Sequence, residues 1–110
     1  MNPIKAQTTK GNILIVDDNL DSLSLLSTIL REEGYKVRKA INGQMALMGA
    51  QAEVPDLILL DIMMPDPDGY QVCQQLKALP LTREIPVIFL SALDETLDKV
   101  KAFKLGLKLR

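Results

Sequence analysis

The sequence contains no histidine and only one cysteine, Cys73. Without histidine there is no Ser-His-Asp triad, no histidine general base and no histidine-ligated metal site. With a single cysteine, an intrachain disulfide framework and a structural zinc site are both excluded, and a reducing compartment, the cytoplasm, is the expected location. We expect Cys73 to be a small core or helix residue. Chemistry must therefore rest on carboxylates, hydroxyls, lysines and any ion that they recruit.

Long apolar runs and an excess of charge are also missing. No apolar run approaches the roughly 18 residues of a membrane-spanning helix, and no signal peptide opens the chain. The longest runs, such as residues 57–60, are the length of a strand. Thirteen basic and fourteen acidic residues give a net charge of −1, which argues against nucleic-acid binding by bulk electrostatics. Neither a membrane nor a nucleic acid is therefore expected among the partners.

The residues that are present have the composition of one globular domain. Of the 110 residues, 47% are apolar and 25% are charged, which is typical of a chain that folds around its own core. Residues 1–11 are polar and are predicted to be a disordered arm. Residues 12–106 are predicted to be the domain, and residues 107–110 a short tail.

Hydrophobic periodicity predicts a strand followed by a helix, repeated four times. The continuous apolar strands are typical of a parallel sheet buried on both faces, and the more polar second strand is typical of a sheet edge. The predicted strands cover residues 12–16, 35–40, 56–61 and 86–90, and the predicted helices cover residues 19–33, 42–53, 70–79 and 94–105. This alternation predicts an α/β fold with a doubly wound parallel sheet, helices on both faces and strand order 2-1-3-4.

Acidic residues stand at the ends of these strands, where ligands of open α/β sheets bind. Asp17 and Asp18 follow the first strand, Asp61 ends the third, and Ser91 follows the fourth. One aspartate in such a place is commonly a helix N-cap, but three aspartates and a serine on adjacent strands are harder to explain as caps. Carboxylates that converge repel one another and raise one another's pKa, and a divalent cation such as Mg²⁺ relieves that repulsion.

Three segments resemble the receiver domain of bacterial response regulators. They read ILIVDDN at residues 13–19, LILLDIMMPDPDGY at residues 57–70 and IPVIFLSA at residues 85–92. The resemblance covers roughly residues 12–106 and implies the flavodoxin-like fold of that family. The chain is accordingly identified as a member of the receiver family on the order and content of these three segments.

The resemblance also implies roles for individual residues. It makes Asp61 the phosphoacceptor, Asp17 and Asp18 the acidic pair that binds Mg²⁺, and Ser91 the switch hydroxyl that moves toward the phosphoryl group. Asp61 is itself a metal ligand in this scheme, and Met63 contributes its backbone carbonyl. Mn²⁺ is an alternative to Mg²⁺ as the cofactor.

The function implied by the resemblance is that of a stand-alone phosphoacceptor in a two-component phosphorelay. Its partner would be a sensor histidine kinase or a phosphotransfer protein, and it would not be an enzyme beyond its own phosphotransfer and dephosphorylation. The alternative is a degenerate receiver that acts as a protein-interaction module without productive phosphorylation. A phosphatase of the haloacid-dehalogenase type also uses an aspartyl nucleophile, but it needs aspartate two residues later, where this chain has Met63.

The end of the chain departs from the family pattern. The family continues with a fifth strand that carries an aromatic residue, a lysine and a fifth helix, whereas Gly106 here is followed by Leu-Lys-Leu-Arg. We therefore expect a truncated receiver without the fifth strand and helix. Lys108 and Arg110 do not stand at the position of the family lysine. The absence of that lysine predicts slow phosphorylation and undiminished Mg²⁺ binding.

The predicted fourth strand also suggests self-association. Residues 86–90 are almost wholly apolar and carry no charge, and an apolar strand at a sheet edge is a template for pairing with another chain. We therefore expect a homodimer built on the fourth strand, the fourth helix and the tail, independent of phosphorylation. The alternatives are a marginally stable monomer and a soluble aggregate.

Overall fold

The computed structural model describes residues 10–90, which form a four-stranded parallel sheet with helices on both faces. The elements are β1 (Asn12–Val16), α1 (Leu20–Glu32), β2 (Lys36–Ala40), α2 (Gly43–Ala52), β3 (Leu57–Asp61), α3 (Gly69–Ala78) and β4 (Val87–Leu90). The strand order is β2-β1-β3-β4, as predicted. The predicted fourth helix, the tail and residues 1–9 of the predicted arm lie outside the described residues.

Alternate residues of the central strands enter two separate cores. Ile13 and Ile15 of β1 pack on the α1 side of the sheet, where Leu23, Leu26 and Leu30 of the helix are buried. Leu14 and Val16 face the opposite side, and residues of α2 and α3 cover them. Both faces of β1 and β3 are buried, which explains why these strands are continuous apolar runs and not alternating ones.

Helix α1 begins and ends through local hydrogen bonds that the sequence signals. The side chain of Asn19 accepts a hydrogen bond from the backbone N–H of Ser22 and caps the helix. At the other end Gly34 adopts a φ of +100°, a conformation that favours glycine, and its N–H donates to the carbonyl of Arg31. The N–H of Tyr35 donates to the carbonyl of Leu30, so Tyr35 belongs to this turn and not to the strand, which begins one residue later than predicted.

Other element boundaries differ from the predictions by one residue for equally local reasons. Asp68 caps α3 by accepting from the N–H of Gln71, so the helix begins at Gly69 instead of residue 70. The helix ends at Ala78 because Leu79, which precedes a proline, is extended. Cys73 is a half-buried residue of α3, in agreement with the expectation of a helix residue.

The edge strand β2 supplies the charged groups that hold the end of α2. Helix α2 itself contains no charged residue. Arg38 of β2 donates to the carbonyl oxygens of Gly49, at 2.9 Å, and of Glu53, which are acceptors at the helix C-terminus. Lys36 forms an ion pair with the Glu53 carboxylate at 3.0 Å. The polar character that predicted an edge strand thus serves to anchor a neighbouring helix.

Within the part of the chain that the structure describes, no helix has both the length and the apolar character needed to cross a membrane.

Candidate functional site

Three carboxylates lie together at the carboxyl ends of β1 and β3. Val16 pairs with Leu60, so the residues that follow, Asp17 and Asp61, emerge side by side at one sheet edge. Asp17, Asp18 and Asp61 each offer a carboxylate oxygen, and these oxygens lie within 4.8 Å of one another. Asp17 is buried, Asp61 is half-buried and Asp18 is exposed, so the cluster opens to solvent on one side.

Asp17 is the most confined of the three acids. The residue is 8% exposed, and its Oδ1 accepts a hydrogen bond from the N–H of Asn19 at 2.9 Å. The pKa of Asp17 is raised from 3.8 to about 6, mainly by burial and against the opposing effect of that hydrogen bond. The neighbouring Asp61 and, to a lesser extent, Asp18 contribute smaller parts of the same rise in pKa. The site therefore favours a state in which the charge of Asp17 is neutralised, by a proton or by a cation.

Asp61 is oriented by the loop that follows it. The N–H of Met63 donates to Asp61 Oδ1 at 3.0 Å, which holds the carboxylate against its own backbone turn. Gly69, at the start of α3, packs directly against this turn, and its N–H donates to the carbonyl of Ile62 at 3.2 Å. A Cβ at Gly69 would clash with the backbone oxygen of Asp61 and lie 2.7 Å from the Cα of Ile62. Only glycine permits this close approach.

The contribution of Gly69 was not inferred from the sequence. The signal that was available is the Asp-Gly pair at residues 68 and 69, where the aspartate caps a helix that starts immediately after the loop. The same is true of Asn19, whose side chain caps α1 while its backbone N–H holds Asp17. Both residues act on the carboxylates through backbone contacts, which leave only a weak trace in a sequence.

Met63 and Ser91 are the other two residues predicted for the site. Met63 is 77% exposed, and its contact at the site is the hydrogen bond from its N–H to Asp61. Binding of a metal by the Met63 carbonyl stays a prediction. Ser91, the predicted switch hydroxyl, lies outside the described residues.

The donor set fits a hard divalent cation. The cluster consists of carboxylate oxygens, the ligands that Mg²⁺ prefers, and its open side leaves room for the waters that Mg²⁺ usually keeps. Among the hydrogen bonds and ion pairs of residues 10–90, none joins a lysine or arginine to Asp17, Asp18 or Asp61. The three carboxylates repel one another and have no such cationic partner in the described region. A bound cation would therefore lower the electrostatic energy of the site.

Comparison with known proteins places these features in a family. The sequence profile of the response regulator receiver domain matches residues 13–109. The response regulator PleD of Caulobacter vibrioides is 45% identical over 96 residues, which are 87% of this chain and 21% of PleD. The alkaline phosphatase synthesis transcriptional regulatory protein PhoP of Bacillus subtilis is 45% identical over 94 residues, 86% of this chain and 38% of PhoP. The chain thus spans less than half the length of these curated relatives.

Solved structures extend the likeness from sequence to fold. The N-terminal domain of a response regulator receiver protein from Methanoculleus marisnigri JR1 has a TM-score of 0.70 at 28% identity, over 89% of this chain and 98% of that one. The signal receiver domain of a signal transduction histidine kinase from Syntrophus aciditrophicus has a TM-score of 0.70 at 41% identity, over 87% of this chain and 73% of that one.

Proposed function

The chain belongs to the response regulator receiver domain family of two-component signalling, and from this premise we propose that it is a Mg²⁺-dependent phosphoacceptor whose phosphorylated residue is Asp61. The phosphoryl donor in this proposal is a sensor histidine kinase or a phosphotransfer protein. The role is that of a regulator, and the chain's own catalysis is limited to phosphotransfer onto Asp61 and loss of the phosphoryl group. A location in the cytoplasm is part of the same proposal.

The observation that carries the proposal is the clustering of the three carboxylates around Asp61. In the proposed step a carboxylate oxygen of Asp61 attacks the phosphorus of a phosphohistidine. The new P–O bond forms as the P–N bond breaks, and the imidazole leaves with the electron pair of that bond. Such a transfer needs positioning and charge neutralisation more than acid-base catalysis, which suits a chain without histidine.

In this proposal different described residues orient Asp61 and bind Mg²⁺. The Met63 N–H holds one oxygen of Asp61, so the other oxygen is available to attack. Asp17 and Asp18 are the proposed ligands of Mg²⁺ together with Asp61. When bound, Mg²⁺ supplies positive charge that offsets the carboxylates and the phosphoryl oxygens. The Ser91 hydroxyl is proposed to contact the phosphoryl group once it is on Asp61.

Intact-mass spectrometry after incubation with a small acyl phosphate and Mg²⁺ tests the proposal. We expect one phosphoryl adduct on the parent chain, none on Asp61→Asn, and none on the parent when the metal is chelated. Asp66→Asn is the matched control, because Asp66 is an exposed acid of the same loop outside the carboxylate cluster. An adduct that persists in Asp61→Asn would place the acceptor elsewhere.

A degenerate receiver that acts only as an interaction module is the second candidate. The observation that favours it is that, among the hydrogen bonds and ion pairs of residues 10–90, none joins a lysine or arginine to the three acids. An anionic phosphoryl group entering such a site meets repulsion that Mg²⁺ only partly offsets. A parent chain that binds Mg²⁺ but gains no phosphoryl group under any of these conditions would support the interaction module.

Self-association through β4 is a further part of the proposal. Val87, Ile88 and Phe89 are half-buried apolar residues, and within residues 10–90 their strand pairs only with β3. The predicted fourth helix and tail, which complete the proposed interface, lie outside the described residues. Light scattering at micromolar concentration tests the idea: a mass of one chain, 12.2 kDa, would contradict it. Ile88→Lys is expected to dissociate a dimer.

A further inference from the structure

The start of α2 lies against the loop that carries the candidate site. Gly43 is the first residue of α2 and is buried. A Cβ at this position would lie 2.7 Å from Cγ of Pro67 and 2.6 Å from Cγ2 of Val72. Real Cβ atoms do not approach other heavy atoms this closely, so any side chain at residue 43 must displace these groups. Pro67 belongs to the loop between β3 and α3, whereas Val72 belongs to α3 itself.

That loop is short and is held at several points. It runs from residue 62 to residue 68, between Asp61 at the end of β3 and Gly69 at the start of α3. Met64 is buried in the core, and Gly69 packs on the backbone of Asp61. Because Pro67 lies two residues before Gly69, a displacement of Pro67 is transmitted along a few bonds to the turn that orients the Asp61 carboxylate. Helix α2 thus lies against the loop that follows Asp61, although it contributes none of the clustered acids.

We propose that Gly43 is a positioning residue for the Asp61 site. Because Gly43 has no side chain, Pro67 can pack against the start of α2, and this contact fixes the loop that orients Asp61 and Met63. The inference rests on the proposed function for its link to Mg²⁺. Gly43 touches neither metal nor phosphoryl group, and it acts through the loop. Its backbone φ is not in the left-handed region, so the requirement for glycine here is one of space.

A comparison of two glycine-to-alanine changes on the same helix tests the proposal. Gly43→Ala is expected to raise the dissociation constant for Mg²⁺ about tenfold, the size of effect seen when residues that orient metal ligands are changed. Gly49→Ala is the matched control, since a Cβ there meets only Nη1 of Arg38 at an ordinary 3.9 Å. Its dissociation constant is expected to equal that of the parent. Titration calorimetry gives the constants, and circular dichroism gives the folded fraction of each chain.

A second pair of variants separates packing of the helices from positioning of the loop. Val72→Ala removes the methyl group that would clash with a side chain at residue 43, and it leaves Pro67 in place. In Gly43→Ala/Val72→Ala the helices can pack again, but Pro67 must still move. We therefore expect weakened Mg²⁺ binding in the double variant and near-parental binding in Val72→Ala alone. Parental binding in a folded Gly43→Ala chain, or in the double variant, would overturn the proposal.

A readout that needs no metal distinguishes failure of this inference from failure of the proposed function. The N–H of Met63 donates to Asp61, so its NMR chemical shift reports the geometry of the turn in the metal-free chain. We expect this resonance to move in Gly43→Ala and to stay in place in Gly49→Ala. If the parent binds no Mg²⁺, the proposed function fails, and the Met63 resonance still decides whether Gly43 positions the loop. An unmoved resonance would refute the positioning role.

Discussion

The burial of the Asp17 carboxylate predicts how the free energy of unfolding depends on pH. Its pKa rises from 3.8 to about 6 on folding, mainly because burial disfavours the ionised form. The folded chain therefore binds more protons than the unfolded chain between about pH 4 and pH 6, and the free energy of unfolding falls as the pH rises through that window. Above pH 6 the folded chain bears the full free-energy cost of keeping Asp17 ionised in a buried position, and below pH 4 this cost is absent because Asp17 is protonated.

The substitution Asp17→Asn removes this cost. A shift of about 2 pKa units corresponds to at most about 3 kcal/mol, so the metal-free variant is expected to be more stable than the parent by about 1–3 kcal/mol near pH 7. The difference is expected to vanish near pH 4. The asparagine Oδ1 can still accept the hydrogen bond from Asn19, so the local turn is retained. Urea denaturation in the presence of a chelator, at both pH values, measures the difference.

Mg²⁺ is expected to stabilise the parent more than Asp17→Asn, which is the opposite of the difference expected without metal. A cation that binds only the folded chain stabilises it in proportion to the logarithm of its concentration above the dissociation constant, so the parent gains stability with Mg²⁺ while Asp17→Asn gains little. Asp21→Asn is the control: Asp21 is an exposed acid in the first turn of α1, and its loss is expected to cost a few tenths of a kcal/mol at either pH. An Asp17→Asn chain that is no more stable than the parent at pH 7 without metal would refute the reasoning.

Two further predictions concern residues that hold the site's surroundings. Arg38→Ala is expected to lower the free energy of unfolding by about 1–3 kcal/mol, because the carbonyls of Gly49 and Glu53 lose a charged donor, and Arg38→Lys is expected to recover part of that loss in urea denaturation. Gly69→Ala is expected to cost about 1–3 kcal/mol through its clash with the backbone of Asp61 and to weaken Mg²⁺ binding as well. Equal stability of Gly69→Ala and Gly49→Ala would show that the close approach is not required.

Much of the fold could be predicted because its signals are local or periodic. The apolar runs of β1 and β3 indicated strands buried on both faces, and the polar second strand indicated an edge; the sheet order follows from these two observations. Gly34 ends α1 in the way its position suggested. The grouping of the carboxylates followed from topology alone, since parallel strands bring their carboxyl ends to one sheet edge. The roles of Asp61, Met63 and Ser91 in phosphotransfer stay predictions.

The sequence by itself determined which elements form within residues 10–90, which edge of the sheet carries the acids, and which residue types are available there, because hydrophobic period and strand order depend only on the chain's own pattern. Only the tertiary structure decided how deeply Asp17 is buried and hence where its pKa lies. Only it showed that Gly43 and Gly69 leave room for the loop beside Asp61, and that Arg38 closes the end of α2. These features depend on contacts between residues far apart in the chain, and such contacts produce no periodic pattern in the sequence from which they could be predicted.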